Sequence, residues 1–356
     1  MRFSTLLGEV RRNIISGTTR LAVGFFALLL ITMLVSLADL ISVNSLQNQA
    51  RQFVASGSPT RALIAPGQID ASACQRLPES PTVDAAGAIS AMPPVRFASM
   101  PTVAIQAYRV TTGFAAVVGL NHALPGGVLV DTGLATSMGL HTGARHDMTD
   151  GNSLLIGGIF DWPQDGRDQR LSFAVLIPQP ATGLFDECWM RAWPVVDAND
   201  ILLRATQVAS SDDHQISQIG QINTTLGLSL DAHQLFANRV TRFAPPVALA
   251  AGLALGWVMA RTRRLEYASA LHAGQSKADQ LLTGVLESAV WAVPAAITAV
   301  AAIYCVVAIG AMPDAPGLLE VTAPGPILGA AGVLVGTLAG VAGAKEKHLF
   351  RLFKNR

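Results

Sequence analysis

Charged side chains are what this sequence has least of. Lysine, arginine, aspartate and glutamate make up 14% of its 356 residues, against about 25% in an ordinary globular chain. A chain so short of solvated surface, 51% hydrophobic and with mean hydropathy +0.41, points to a membrane. Its net charge of +1 leaves no basic excess for nucleic acid. No G-x-x-x-x-G-K-[ST] phosphate loop occurs, so the chain does not bind ATP in that manner. The seven histidines (His122, His141, His146, His214, His233, His272 and His348) lack metal-ligand spacing, and His141 and His146 read as surface residues. There is no catalytic set, sequence repeat or low-complexity tract.

What the chain does have is four uncharged runs: Leu21 to Ala38, Phe243 to Ala260, Ser288 to Pro313 and Val321 to Ala344. A spanning helix needs about 20 apolar residues to cross the hydrocarbon core. In lipid each run must satisfy its own backbone polar groups, which predicts four transmembrane helices. Basic residues decide the orientation. Arg2, Arg11, Arg12 and Arg20 precede the first run, and Arg261, Arg263, Arg264 and Lys277 lie between the second and third. Lys345, Lys347, Arg351, Lys354 and Arg356 follow the fourth. The segment between the third and fourth runs carries Asp314 and Glu320 and no basic residue. Both termini are therefore expected in the cytoplasm and the long segment from Asp39 to Arg242 outside, in a multi-pass cell-membrane protein. A cleaved signal peptide ending near Ser36-Leu37-Ala38 is the other reading of the first run. The 20 residues ahead of it are long for that purpose and favour a span.

The chain divides accordingly. Residues 1–20, with Phe3, Leu6, Leu7, Val10 and Ile14 at helical spacing, predict an amphipathic helix on the inner membrane surface; a helical leader positioning the first span is the plainer alternative. The first span is 21–40. Val43, Leu46, Ala50 and Phe53 carry the helical pattern on through a stalk at 41–57. Ile216, Ile219, Ile222 and Leu226 predict a second stalk helix at 213–242, ahead of the second span at 243–260. Between the stalks, residues 58–212 read as a mixed α/β external domain. Strands are expected at Val103–Val110, Gly127–Val130, Leu154–Phe160 and Leu171–Ile177, and a helix over Asp131–Leu140. A polar loop at 261–287, a third span at 288–311, a short external loop at 312–322, a fourth span at 323–344 and a basic tail at 345–356 complete the order. The fold class is a four-helix transmembrane bundle plus a mixed α/β extracytoplasmic domain on a helical stalk.

Three cysteines are present. Cys305, inside the third run, reads as a small packing residue. Cys74 and Cys188 both fall in the external segment, where disulfides persist. A bond between them and two separate buried thiols are the two readings. Asn223-Thr224-Thr225 is a nominal glycosylation triplet of little weight.

The polar loop is the stretch around which the rest is organised. Leu265 to Leu271 is helical in pattern, Gly274 permits a turn and Ser276 can cap a second helix. A solvated connector with basic topology signals is the bland reading. Two stretches together resemble the MacB/FtsX-like permeases of ABC transporters, which have four spans and a large domain between the first and second. One is Arg263-Arg264-Leu265-Glu266, then Ala270 to Ser276 (ALHAGQS), then Glu287 in an apolar helix. The other is Val128 to Gly143 (VLVDTGLATSMGLHTG) followed by Leu155 to Ile159 (LIGGI). His272 and Gln275 depart from the family's apolar and small residues at those places.

The resemblance implies that the loop is a coupling helix for a separate cytoplasmic ABC ATPase. Arg264 and Glu266 would make polar contacts, Tyr267, Ala270 and Leu271 would fill a groove, and Ala273, Gly274 and Ser276 would form the turn. This chain would then be no enzyme and hold no cofactor, with ATP and Mg in the partner. A second permease copy or paralogue and membrane lipid are further expected partners, and nucleic acid is not. The expected function is transmission of ATPase motion to the external domain, exporting or extracting a lipid, peptide or drug-like cargo. The alternative is an FtsX-like scaffold that regulates an extracytoplasmic cell-wall hydrolase, directly or through an adaptor, without transport.

Small residues recur every four positions at Gly252 and Gly256 and at Gly332, Gly336 and Gly340. Such faces allow close helix approach, within a bundle or between copies, though small residues are common in spans anyway. Pro245-Pro246 opens the second span and Pro294 interrupts the third. Glu287 stands at the start of the third span, where the helix dipole favours a carboxylate; a proton relay is the sharper alternative.

Overall fold

The computed structural model describes residues 3–17, 19–120, 122–208 and 217–344. The basic tail at 345–356, Arg2 and the start of the expected second stalk, 213–216, lie outside them. In chain order the helices begin with α1 (Phe3–Ile15), α2 (Leu21–Ala55), α3 (Ala71–Arg76), α4 (Phe114–Val117), α5 (Thr132–Met138) and α6 (Asp197–Arg204). They continue with α7 (Ala232–Ala237), α8 (Ala244–Thr262), α9 (Arg264–His272), α10 (Lys277–Ile309), α11 (Ala315–Thr322) and α12 (Pro324–Ala342). The strands are β1 (Thr60–Asp70), β2 (Val83–Val95), β3 (Ile105–Thr111), β4 (Val128–Asp131) and β5 (Arg145–Asp147). They end with β6 (Ser153–Phe160), β7 (Val175–Gln179), β8 (Leu184–Ala192) and β9 (Gln218–Gln221). Two compact units result, residues 1–47 with 233–356, and residues 48–232.

The first unit is helical. Four stretches are long and apolar enough to cross a membrane: Leu21–Ala55, Val240–Thr262, Lys277–Ile309 and Ala315–Ala342. At 35 residues, α2 is about 50 Å long, well beyond the roughly 30 Å hydrocarbon core. Its surplus is the polar C-terminal stretch from Asn44 to Gln52, so the expected span at 21–40 and stalk at 41–57 run as one helix that stops at Ala55. The same holds for α10, whose surplus is N-terminal. The second half of the expected loop is therefore the polar start of the third spanning helix.

The five glycines noted above lie along one seam between α8 and α12. A Cβ at Gly252 would meet the Gly329 carbonyl oxygen at 2.0 Å, and one at Gly336 would meet that of Leu253 at 2.0 Å. Gly256 faces the Val333 carbonyl at 2.1 Å, Gly332 that of Leu249 at 2.3 Å, and Gly340 the Ala260 methyl at 2.6 Å. The backbones touch, so dispersion between main chains replaces the side-chain interlock of an aqueous core. This seam lies inside one chain.

Three expectations need correction here. Residues 312–322 contain a helix, α11, which joins α12 in the fourth apolar stretch. Cys305 is exposed, on the face of α10 that also exposes Tyr304 and Ile309; in a bilayer an apolar residue on such a face has no reason to turn inward. The second stalk helix does not form. Residues 218–221 are β9, an edge strand pairing antiparallel with β1, and only the short α7 and a 3-10 turn at Val240–Phe243 precede α8. Three-residue spacing of a few isoleucines cannot outweigh a ladder of hydrogen bonds, and Gly227, at φ +92°, breaks any helical continuation.

The second unit is a mixed sheet in the order β5-β6-β4-β7-β3-β2-β8-β1-β9. The pairs β3–β7 and β4–β6 are parallel and the rest antiparallel. The four expected strands are present as β3, β4, β6 and β7, except that Leu171 closes a 3-10 turn and β7 starts at Val175. The core centres on fully buried Trp189, with Phe114 and Trp162 rings 5.3 and 6.2 Å away. The Trp189 indole N–H donates to Glu187 at 2.8 Å, and Glu187 accepts two bonds from Arg170 at 2.5 and 3.0 Å. Cys74 and Cys188 are bonded, Cα atoms 5.9 Å apart, joining α3 to β8. Asn223 is fully buried, donating to the Ser56 carbonyl at 2.9 Å and accepting from Thr225 N–H at 3.0 Å. That triplet is an internal turn, with no amide free for a sugar.

Candidate functional site

Local chemistry shapes the segment between α8 and α10. Helix α8 ends at Thr262, Arg263 forms the corner and α9 follows at once. Gly274 stops the chain's rotation at φ +89°, a conformation a side chain would resist. Ser276 then caps α10, its hydroxyl accepting from Asp279 N–H at 3.1 Å and donating to the Asp279 carboxylate at 2.7 Å. Lys277 donates to the Val341 and Ala344 carbonyls at 2.8 and 2.7 Å, tying the start of α10 to the end of α12.

One face of α9 is buried and one is open. Tyr267 and Ala268 turn inward, Tyr267 packing with Ala260 and Val341. Gln280 donates to the Tyr267 carbonyl at 2.7 Å. Arg264, Glu266, Ser269 and His272 are exposed, and Leu265, Ala270 and Leu271 are half-buried. Ala273, Gly274 and Ser276 are exposed in the turn. Tyr267 was expected to fill a partner's groove. At 8% exposure it is instead the anchor of the helix to its own bundle.

The charges converge on Glu287. It is only 3% exposed and lies ten residues inside α10, because the Ser276 cap starts that helix early. A dipole role at a helix N-terminus is therefore excluded. Its two carboxylate oxygens have separate partners. Arg263 Nη1 donates to one, and Asn13 of α1 donates to the other at 2.7 Å. Arg263 Nε also reaches Glu266 at 2.7 Å, and its guanidinium lies 5.4 Å from the Tyr267 ring centroid. Burial works against the Arg263 charge, but Tyr267 and the two carboxylates outweigh it and hold its pKa above the ordinary value. Burial likewise lifts the Tyr267 phenol to about 12. Beside this cluster is a cavity of about 390 Å³, lined by Glu9, Arg263, Gln275, Gln280, Thr283 and Glu287.

Sequence reasoning located the segment and missed its support. Asn13, Gln280 and the Arg263–Glu287 pair had one legible signal, a lone carboxylate within an apolar helix, which demands a partner. The partners come from helices distant in sequence and carry no pattern of their own. The disulfide and the glycine seam lie elsewhere, in the sheet unit and along α8–α12. His141 is exposed and His146 sits edge-on to Phe97. Among the described residues no group of three or more ligand-type side chains could hold a metal.

The sequence matches no described protein family and no curated protein. Solved structures similar to part of the chain include the following two. The periplasmic region of MacB from Actinobacillus actinomycetemcomitans aligns over 52% of this chain and 95% of its own, at 11% identity and TM-score 0.34. A domain of a protein described as a permease from Porphyromonas gingivalis aligns over 47% and 92%, at 15% identity and TM-score 0.32.

Proposed function

We propose that this chain is the membrane subunit of an ABC-type assembly and that α9 is where a separate cytoplasmic ATPase docks. The observation that carries this is the build of α9. It is a nine-residue helix between two membrane-crossing helices, anchored by one face and open along Arg264, Glu266, Ser269 and His272. A mere connector needs neither a buried tyrosine nor a buried ion pair. The motif resemblance of Arg263 to Ser276 supports the same reading, and the missing phosphate loop is consistent with ATP and Mg being held by a partner. The basic residues on either side of α9 support a cytoplasmic position for it. Motion entering at α9 would pass to α10 and, in a dimer of permeases, move the external domain. The spans carry little polar lining, with only Thr32 and Ser36 polar between Leu21 and Ala38, so cargo would be handled outside or in the outer leaflet.

Purification of the native complex tests this. An ATPase is expected to copurify, and Leu271→Asp, at a half-buried position of α9, is expected to abolish its stimulated hydrolysis while the chain still folds. Unchanged stimulation in that variant would sink the docking assignment. Copurification of an added cell-wall hydrolase would favour the regulatory scaffold over export.

A further inference from the structure

We infer that Arg263 and Glu287 are a positioning pair that makes α9, α10 and α1 move as one body, so that a push on α9 becomes a displacement of α10. Its functional consequence rests on the docking reading; its mechanical content does not.

The observations are these. Glu287 is almost entirely buried, in the inner third of a helix long enough to span the membrane. A carboxylate in such a place is costly unless it is paired and fully hydrogen-bonded. It is both, and its partners come from two other elements. Arg263 comes from the corner that starts α9, and Asn13 from α1. Arg263 is itself divided between Glu287 and the open-faced Glu266. A single guanidinium therefore links the surface of α9 to the interior of α10. Arginine suits this because its planar fork donates in two directions at fixed angles, which a lysine cannot do. Tyr267 closes the other side, with its ring near the guanidinium and its carbonyl held by Gln280 of α10. Tyr267 and Ala268 add a small buried apolar contact, Tyr267 against Ala260 and Val341. Without the pair, α9 would hinge at Arg263 and at Gly274, its two non-helical ends.

The chain alone, purified in detergent, tests the lock. Labels go at Ser269→Cys on α9 and Ile309→Cys at the far end of α10, both exposed. Cys305→Ser removes the free thiol, since Cys74 and Cys188 are bonded. The Ser269–Ile309 distance distribution is expected to be narrow. Glu287→Gln is expected to broaden it and to raise amide exchange in 264–272 and 6–15 at least about tenfold, the size a broken buried pair implies, while 324–342 is unchanged. Arg263→Gln should do the same, and the double variant should be no looser than either single, since both remove one interaction. Exchange and distances at wild-type values in the single variants, or strictly additive loosening in the double, would overturn the pair's role. If Glu287→Gln does not accumulate, Arg263→Lys keeps the charge and loses the fork; wild-type rigidity in that variant would also overturn it. With a copurifying ATPase bound, Glu287→Gln is expected to keep association within about twofold and to lose at least about tenfold of the stimulated turnover. Equal stimulation in a loosened variant would show that rigidity of α9 does not carry the push. If no ATPase binds the wild-type chain, the docking reading fails, and the exchange measurement still decides the lock.

Discussion

The helical unit and the sheet unit solve the same packing problem with opposite materials. In the sheet unit the largest side chains sit deepest, with Trp189, Phe114 and Phe160 fully buried around one Glu187–Arg170 pair. In the helical unit the tightest contact is made by residues with no side chain, the glycines of α8 and α12. Water is the reason for the difference. Removing aromatic surface from water drives the sheet unit together at about 25 cal/mol per Å². Between helices in lipid that force is absent, and close dispersion contact has to supply the affinity. Both units use charge sparingly and each holds a part-buried ion pair, Arg170–Glu187 in one and Arg263–Glu287 in the other.

The contrast fails if a bulky residue is tolerated on the α8–α12 seam. Gly336→Leu should be the most damaging change, because its Cβ alone would lie 2.0 Å from a main-chain oxygen. The expected loss exceeds about 4 kcal/mol, seen as absence of folded protein in detergent, since overpacking against backbone cannot relax by rotamer change. Trp189→Ala comes next, at about 3–5 kcal/mol, and should lower the unfolding temperature of the sheet unit while α8–α12 contacts, read by crosslinking, persist. Reduction of Cys74–Cys188 should cost about 2–5 kcal/mol in the same unit. An unchanged melting profile under reductant would refute that. The capping aspartate of α3 is smaller. Asp70 accepts from Ser72 N–H and Ala73 N–H, and Asp70→Ala should cost about 1 kcal/mol. The Ser72 hydroxyl, with the backbone N–H bonds, holds the Asp70 pKa below 3.8. Its contribution is therefore complete above the unfolded value and lost as pH falls through the lower folded one. A stability–pH curve should lose the difference between wild type and variant in that acid window. Smallest is Gly8→Ala in α1. Nothing lies within 4 Å of the new methyl, and helicity should improve by up to about 1 kcal/mol.

Much of the fold could be read from the chain before any coordinate. Four helices cross where four uncharged runs stand, because hydrocarbon leaves the backbone no other partner. The strands at Val128–Asp131 and Ser153–Phe160 stand where short apolar runs bounded by turn residues were expected. The exposed face of α9 was legible as polar residues, and the turn as Gly274 and Ser276. The second stalk was misread because Ile219 and Ile222 fit a helix and a strand equally well over so short a stretch. Tyr267 was misread because its position in a docking motif says nothing about which way it points.

The sequence by itself determined which segments enter lipid and which stay in water, for hydropathy is a sum over neighbouring residues and needs no fold. It also determined that the chain carries no G-x-x-x-x-G-K-[ST] phosphate loop, which is a matter of local sequence. Tertiary structure alone decided the partners: that Glu287 meets Arg263 and Asn13, that β9 pairs with β1, that Cys74 meets Cys188, that the glycines of α8 face main chain on α12. Each joins residues far apart along the chain. The free energy of such a contact depends on distance and burial in space, and no local pattern records either.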